Sequence, residues 1–398
     1  MINKIFLSFI SAIIILLLIS CNDSPTDLGT GFLGQDGVEV LKLDSSTDSI
    51  PQSSHSFKNV FSLGNSSQLL LGKAENVTAH SLIRYSFILP DSIKAELIAN
   101  TLIVTDSWVE LTKSYSFGDS NAPFFDYKVF KINSNWSSSS FSADSFSTLS
   151  FDNTDISSIR TPGNDTLYSF HLVPGITASW LQNYVDTTSA TNYGILLSPD
   201  TLVTTQKVLG FTALNSSGIN ESILRIVVQK PGVYIDTLIG YDVADISVVL
   251  GESQNLGTEY LVIQSSLTSE AKLFFDLSMI PDHSDINSAV LTLTIDTLLT
   301  KTGSSFENSL RVFLLSDSSK NEVNTNYFST LSRSGAAFKG GITNIIRAWN
   351  NNVKNEGMLI KATSELFGVE IFALKGSNAA NLSDRPKLEI IYTPGSKK

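Results

Sequence analysis

The order of landmarks in residues 82–104 recurs in residues 273–293, and no other feature limits the chain as much. Leu82-Ile83-Arg84-Tyr85-Ser86-Phe87-Ile88-Leu89-Pro90 answers Leu273-Phe274-Phe275-Asp276-Leu277-Ser278-Met279-Ile280-Pro281. An apolar strand pattern follows each proline, Ile98 to Val104 in the first half and Ile286 to Leu293 in the second. Pro90 and Pro281 are 191 residues apart, as are Leu70 and Leu261. Downstream, Gly175-Ile176-Thr177 leading to Trp180 answers Gly341-Ile342-Thr343 leading to Trp349, and Asn192-Tyr193-Gly194 answers Asn355-Glu356-Gly357. Leu224 and Leu388 are 164 apart, so the first copy carries 27 more residues midway. Landmarks that repeat in one order imply tandem modules rather than one large domain.

Each copy reads as β. Leu291, Leu293 and Ile295 alternate with Thr292, Thr294 and Asp296, the period of a half-buried strand, and Leu310/Val312/Leu314 and Leu388/Ile390/Tyr392 do the same. Clusters of Ser, Asn, Gly and Asp separate these runs. The expected fold is all-β: two tandem β-sandwich domains, jelly-roll-like, each with one short amphipathic helix. The helices are placed by Ile342, Ile345, Ile346 and Trp349 in one copy and by Ile176, Trp180 and Tyr184 in the other. On such stripes Trp180 and Trp349 read as core anchors rather than ligand contacts.

Lys4 precedes an apolar run from Ile5 to Ile19 that is too short to span a bilayer. Leu18-Ile19-Ser20-Cys21 resembles a bacterial lipobox, and Cys21 is the only cysteine. The resemblance implies cleavage before Cys21, acylation of its thiol, and attachment to the membrane by lipid. Asn22 directly after it gives no inner-membrane retention signal, so outer-membrane residence is expected. The expected organisation is a signal peptide over 1–20, a tether over 21–54, module one over 55–232, a linker over 233–244 and module two over 245–396. Gly29-Thr30-Gly31-Phe32-Leu33-Gly34 has the letters of a dinucleotide fingerprint but lacks the strand before and the helix after, and reads as tether.

The landmarks are similar to those of the DNRLRE domain family. Its pattern runs Phe-Asp-Leu-Ser-x-Ile-Pro, Ile-x-Ser-Ala-x-Leu-x-Leu, a Thr-led helix ending in Trp, Asn-x-Gly, and Arg-Pro-x-Leu before the last strand. The second copy carries Phe275-Asp276-Leu277-Ser278, Ile286 to Leu293, Trp349, Asn355-Glu356-Gly357 and Arg385-Pro386-Lys387-Leu388. The first copy departs from it, with Ser86 for the aspartate and no Arg-Pro before Leu224, though Asn133-Ser134-Asn135-Trp136 resembles the family's mid-domain Trp loop. The hexapeptide that names the family is absent from both copies. The resemblance implies a secreted β-sandwich module, with some members classed as carbohydrate-binding modules, and no catalytic set.

Little else carries chemistry. With 27 Lys and Arg against 38 Asp and Glu, the net charge of −11 opposes phosphate-gripping nucleic-acid binding. His55, His80, His171 and His283 form no ligand pair, no Gly-x-Ser-x-Gly elbow occurs, and no cofactor or metal is expected. Asp282-His283-Ser284-Asp285 and Asp44-Ser45-Ser46-Thr47-Asp48 lack the spacing of an EF-hand and read as solvated turns. A sugar's apolar face stacks on a flat ring, so the candidate ligand contacts are Trp136, in a Ser/Asn-rich loop, and then Trp108. The competing reading is that each ring pins its own segment to the sandwich. The expected function is non-catalytic: a lipid-anchored envelope protein binding polysaccharide or another cell-surface polymer. The alternatives are a structural or adhesive protein docking onto an envelope protein, and a polysaccharide-active enzyme.

Overall fold

Alternating apolar positions with polar turns between them fold as antiparallel strands, because each strand then buries one face and solvates the other. The computed structural model describes residues 39–59, 62–121, 126–161, 166–202, 204–216 and 221–395. The lipobox-like segment with Cys21 and the Gly29–Gly34 run lie outside the described residues.

The order begins with β1 (Leu41–Asp44), β2 (Gln52–Lys58), β3 (Gln68–Ala74) and β4 (Val77–Phe87). Then come α1 (Asp91–Ile98), β5 (Ile103–Gly118), β6 (Tyr127–Lys131), α2 (Ala143–Phe146), β7 (Ser157–Thr161) and β8 (Leu167–Leu172). The first half continues with α3 (Pro174–Asn183), β9 (Ile195–Pro199), β10 (Lys207–Thr212), β11 (Ile223–Lys230) and β12 (Tyr234–Gly251). The second half holds β13 (Tyr260–Gln264), β14 (Ser269–Phe275), β15 (Asp285–Thr294), β16 (Ser309–Asp317), β17 (Glu322–Ser334) and β18 (Ala337–Gly341). It ends with α4 (Thr343–Asn350), β19 (Met358–Ala362), β20 (Ile371–Lys375) and β21 (Lys387–Thr393).

The protein is all-β, with two large antiparallel sheets, one per copy. In the first, β10, β3, β4, β12, β11 and β5 follow one another, and β10 also pairs β5, so the sheet curls back on itself. In the second, a bridge from Ile295 to Leu374 brings the end of β15 against β20. Helices α3 and α4 form where the apolar stripes place them. The first copy holds two more helical segments than expected, α1 and the four-residue α2. Pro90 opens α1, which buries Ile93 and Leu97 one turn apart. Residues 132–156 separate β6 from β7, whereas their counterparts β16 and β17 form a hairpin, so the first copy's extra residues fall there.

The N-terminal strands pair across the duplication. β1 lies on β21, with Leu43 opposite Ile390, and β2 lies on β14, with Ser54 opposite Leu273. Both partners belong to the second copy. β12 takes the equivalent place in the first copy: its first half pairs β11 (Leu238 opposite Ile226) and its second half pairs β4 (Ile246 opposite Leu82). The register of β12 shifts between Asp242 and Ala244, where it passes from one partner to the other. Residues 41–54, expected in the tether, and 233–244, expected as linker, therefore hold strands that complete sheets. The Gln-Ser-Ser-His-Ser-Phe-Lys run of β2 shows no apolar alternation, because its buried groups are mostly backbone amides in the ladder.

Each sheet encloses its own apolar cluster. The N-terminal Leu43 and Ile50 belong to that of the second copy, and Leu238 of β12 to that of the first. A third cluster joins them, with Leu70 and Tyr115 of the first copy against Val262, Val369 and Ile371 of the second. The Tyr115 hydroxyl accepts a hydrogen bond of 3.0 Å from the Val369 N–H. Glu370, 1% exposed, lies in the same joint. Burial pushes its pKa up to about 7, and that of Glu270 up to about 8, where the facing Glu365 adds to the effect.

These carboxyls make stability depend on pH. Both pKa values are raised from 4.5 in the folded chain, so the stabilisation is complete below about pH 4.5 and is lost as pH climbs through 7 and 8. Urea unfolding should give a stability at pH 5 higher than at pH 8.5, with Glu370 alone contributing on the order of 3 kcal/mol. Glu370→Gln should remove that share of the slope. An unchanged slope would mean that the carboxylate is charged and compensated in the joint.

Candidate functional site

The outward face of the first sheet carries a row of side chains across four strands. Arg225 on β11 stands opposite Ile239 of β12 on one side and Trp108 of β5 on the other, and Trp108 stands opposite His171 of β8. The next row holds Tyr241, Ile223, Glu110 and Ser169. Both rows point outward because Ser107, Val109 and Leu224 fill the alternate, buried positions.

Polar contacts hold Trp108 in place. Its Nε1–H donates to Glu110 Oε1 at 2.9 Å, and Arg225 Nε donates to the same oxygen at 2.9 Å. Burial alone would raise the pKa of Glu110, but these two donors hold it below the usual value, so the carboxylate is charged at neutral pH. The His171 ring stacks near the indole, 5.9 Å between centroids at 30°, and its Nδ1 lies 2.8 Å from Asp106 Oδ1. Tyr241 is 50% exposed, and Ile235, Ile239 and Val243 extend an apolar strip beside the row along β12. An immobilised ring beside charged and hydroxyl groups on the outer face of a sheet can stack on one face of a ligand while the polar groups bind its edges.

The same register in the second copy is built differently. Leu291 faces Leu388 as Val109 faces Leu224, so Val290 takes the place of Trp108 and Glu389 that of Arg225. Asp44 of β1 stands where Ile239 stands. Lys42 and Lys387 pair with Asp44 and Glu389 at 3.0–3.5 Å. That face is an ion-pair network with no ring.

Trp136, the first candidate from sequence, is not an open platform. It is 5% exposed, its Nε1–H donates to the Tyr193 carbonyl at 2.7 Å, the Arg84 guanidinium covers its face at 4.9 Å, and Phe141 packs edge-on. The ring pins the inserted segment to the sheet. The other candidate, Trp108, lies on the open face. Nothing in the sequence marked Arg225, Glu110, His171 and Tyr241 as its neighbours, because alternation within a strand gives the face and not the partner strand. The Asp44–Asp48 turn is self-capped: Asp44 Oδ1 accepts from Ser46, Asp48 Oδ2 accepts from the Asp44 N–H, and lysines neutralise Asp44.

A second feature occurs in both copies where β4 and β14 end beside a helix and the Asn-x-Gly turn. In the second copy it is a cleft of about 400 Å³ lined by Phe274, Asp276, Ile346, Trp349, Asn350 and Asn355. In the first copy it shrinks to about 270 Å³ and includes Arg84, Ser86, Tyr184 and Asn192. Asn192 and Asn355 play one structural role, each donating to a carbonyl of the neighbouring strand and accepting from its own turn glycine. The indole of Trp349 forms one wall of the cleft, whereas Trp180 is wholly buried. Among the described residues no three His, Cys, Asp or Glu side chains converge as metal ligands, and no helix is long and apolar enough to cross a membrane.

No protein family matches the sequence, and no curated protein is similar to it. Among solved structures, a chain described as "BspA_C_mut" aligns with 85% of this chain and 92% of its own at 10% identity, with a TM-score of 0.16. A superposition that loose carries no argument about fold or function.

Proposed function

We propose that the chain is a lipid-anchored protein of the bacterial outer membrane. Its two halves are non-catalytic, DNRLRE-like sandwiches of the jelly-roll kind, and the first binds a polysaccharide or related surface polymer on the face centred on Trp108. The observation that carries this reading is the row Ile239, Arg225, Trp108 and His171, open on the first copy and replaced by paired charges on the second. Side chains that only stabilise a sheet need no ring whose N–H shares one carboxylate oxygen with an arginine. An open outer face also suits a polymer, which runs past a surface rather than into a pocket. The lipobox-like Cys21 supports the anchor, and the Asn-x-Gly and Thr-led helix motifs support the family resemblance.

The protein lacking its first 20 residues is run in native gels containing neutral or acidic polysaccharides. One polymer should retard it, and Trp108→Ala should weaken that retardation by about 2 kcal/mol, roughly thirty-fold in Kd, with the fold intact. Trp136→Ala should lower the melting temperature instead. Equal retardation of wild type and Trp108→Ala would remove this face from the function. Free migration through every gel, with the apolar strip along β12 still exposed, would favour docking onto an envelope protein.

A further inference from the structure

The N-terminal strands bring with them a pocket that the proposed function does not use. β1 and β2 are joined by a turn over residues 45–51, and the segment between β20 and β21 meets it. Between them lies a cavity of about 410 Å³, within the size range of small-molecule sites. One wall is apolar, from Ile50, Pro51 and Leu382. The rest is polar, from Arg385, Asn378, Gln52 and serines, and no acidic side chain lines it. The first copy has no such turn, because β12 changes partner through a register shift within one strand.

The polar wall is rich in unspent donors. Ser45 and Ser377, 8% and 5% exposed, each accept a hydrogen bond, from the Leu388 N–H at 2.8 Å and from Ser54 Oγ at 3.1 Å. Neither hydroxyl has an acceptor among the described residues, so two buried O–H groups are left to donate at the cavity they line. Arg385 spends only its Nε, on the Ala379 carbonyl at 2.9 Å, and pairs with no carboxylate among the described residues. Both terminal nitrogens remain, on a side chain that this bond holds in place. The exposed Asn378 amide is likewise unbonded to the described residues. Gln52 adds one acceptor, since its Oε1 is buried and has no partner. The acids next to the pocket in sequence are already engaged: Asp44 by Lys42 and Lys387, Asp48 by the Asp44 N–H, and Asp384 by Asn381.

Donors gathered around one guanidinium suit an oxyanion. Its charge is single, because one cation lines the pocket and a second desolvated charge would go uncompensated. Two terminal nitrogens, two hydroxyls and an amide exceed what the two oxygens of a carboxylate accept, and they suit the three terminal oxygens of a sulfate ester. The apolar wall and the Gln52 acceptor fit a hydroxylated sugar ring with one apolar face. We propose that this pocket binds a sulfate ester carried on a sugar. The sulfate lies at Arg385, Ser45 and Ser377, the sugar ring against Ile50 and Pro51, and a ring hydroxyl donates to Gln52. The site is independent of the Trp108 face. It rests on the proposed function only in taking the sugar from a polymer, which is then a sulfated polysaccharide.

The test is calorimetric titration of the full chain with four sugars at fixed ionic strength: glucose 6-sulfate, glucose, glucuronate and glucose 6-phosphate. Glucose 6-sulfate should bind with a Kd on the order of 1 mM, glucose should give no heat, and the other two should bind more weakly. Arg385→Gln should weaken binding about tenfold, the loss expected when a charged hydrogen-bond donor is removed. Asn378→Asp places a negative charge on an exposed side chain that bonds to nothing among the described residues, so it should abolish binding with the fold intact. Trp108→Ala should leave the affinity for glucose 6-sulfate unchanged, which keeps the failure of this pocket distinct from the failure of the Trp108 face. No heat from glucose 6-sulfate would overturn the proposal in the wild type alone. So would binding that survives both Arg385→Gln and Asn378→Asp, which would locate the sulfate elsewhere. Glucuronate or glucose 6-phosphate binding more tightly than glucose 6-sulfate would overturn the choice of anion.

Discussion

Deleting residues 39–58 is expected to unfold the second half of the molecule and leave the first half standing. The deleted strands are remote in sequence from what they support. β1 covers the edge of β21, and β2 runs along β14 through seven opposed residues. Leu43 and Ile50, 6% and 4% exposed, leave the second core, at roughly 2–3 kcal/mol each. Backbone donors are orphaned as well: Leu388 N–H loses Ser45 Oγ at 2.8 Å, Val262 N–H loses Ser56 Oγ at 2.7 Å, and Asp276 N–H loses the Pro51 carbonyl at 2.9 Å. Each such loss costs about 1–3 kcal/mol where the group stays buried. The sum reaches or exceeds the ~5–15 kcal/mol that holds a domain together. Hydrogen exchange should therefore show residues 260–393 unprotected and residues 68–251 still protected. A synthetic peptide of residues 39–58 added in trans should restore protection. Unchanged exchange in the second half would mean that β1 and β2 rest on that sheet without supporting it. The reciprocal cut, after residue 232, removes β12 from the first half and should damage that half in the same way.

How a chain of this kind conceals its own wiring follows from what alternation encodes. Leu291, Leu293 and Ile295 announce a strand with one buried face, and Ile342, Ile345 and Ile346 announce a helix, because burial of those side chains repeats at the element's own period. The all-β class and the positions of α3 and α4 were legible for that reason. Helix α1 was not, since Ile93 and Leu97 alone make a stripe too thin to separate from a turn after Pro90. Partner choice was not legible at all. β2 is bound mainly through amides, and a Ser-rich strand looks like a tether when only side chains are read, while the four residues of β1 are too few to show a period. The same blindness governs the candidate site. Trp136 drew attention because it stands in a Ser/Asn-rich loop, yet the Arg84 that covers it comes from a strand about 50 residues earlier. Trp108 became a site only through Arg225, 117 positions away, and Glu110, which orients both.

Tyr115→Ala should do to the joint between the halves what the N-terminal deletion does to the second sheet. Tyr115 is 1% exposed and leaves β5 to enter the second copy. Its ring lies over Gly303, where an added Cβ would come within 2.2 Å of it, and over Gly368, where the distance is 2.8 Å and φ is +67°. Neither position tolerates a side chain, so the second copy presents a slot shaped by two glycines. Emptying the slot should cost about 3–5 kcal/mol, as for other large buried aromatics, and it strands the Val369 N–H. Tyr115→Phe separates the two contributions: it keeps the ring and loses the hydroxyl, which accepts from the Val369 N–H and acts on the neighbouring Glu370 carboxylate, at about 1–3 kcal/mol. Because each half retains its own core cluster, the loss should appear as a change in cooperativity as well as in stability. Calorimetry of the wild type should give one transition, and Tyr115→Ala two, the lower shifted by several degrees. Tyr115→Phe should keep one. A single transition in Tyr115→Ala, moved by no more than that of Tyr115→Phe, would mean that the exchanged strands and not this ring couple the halves. Gly303→Ala provides the complementary test, because it fills the slot from the other side and should uncouple the halves with Tyr115 intact.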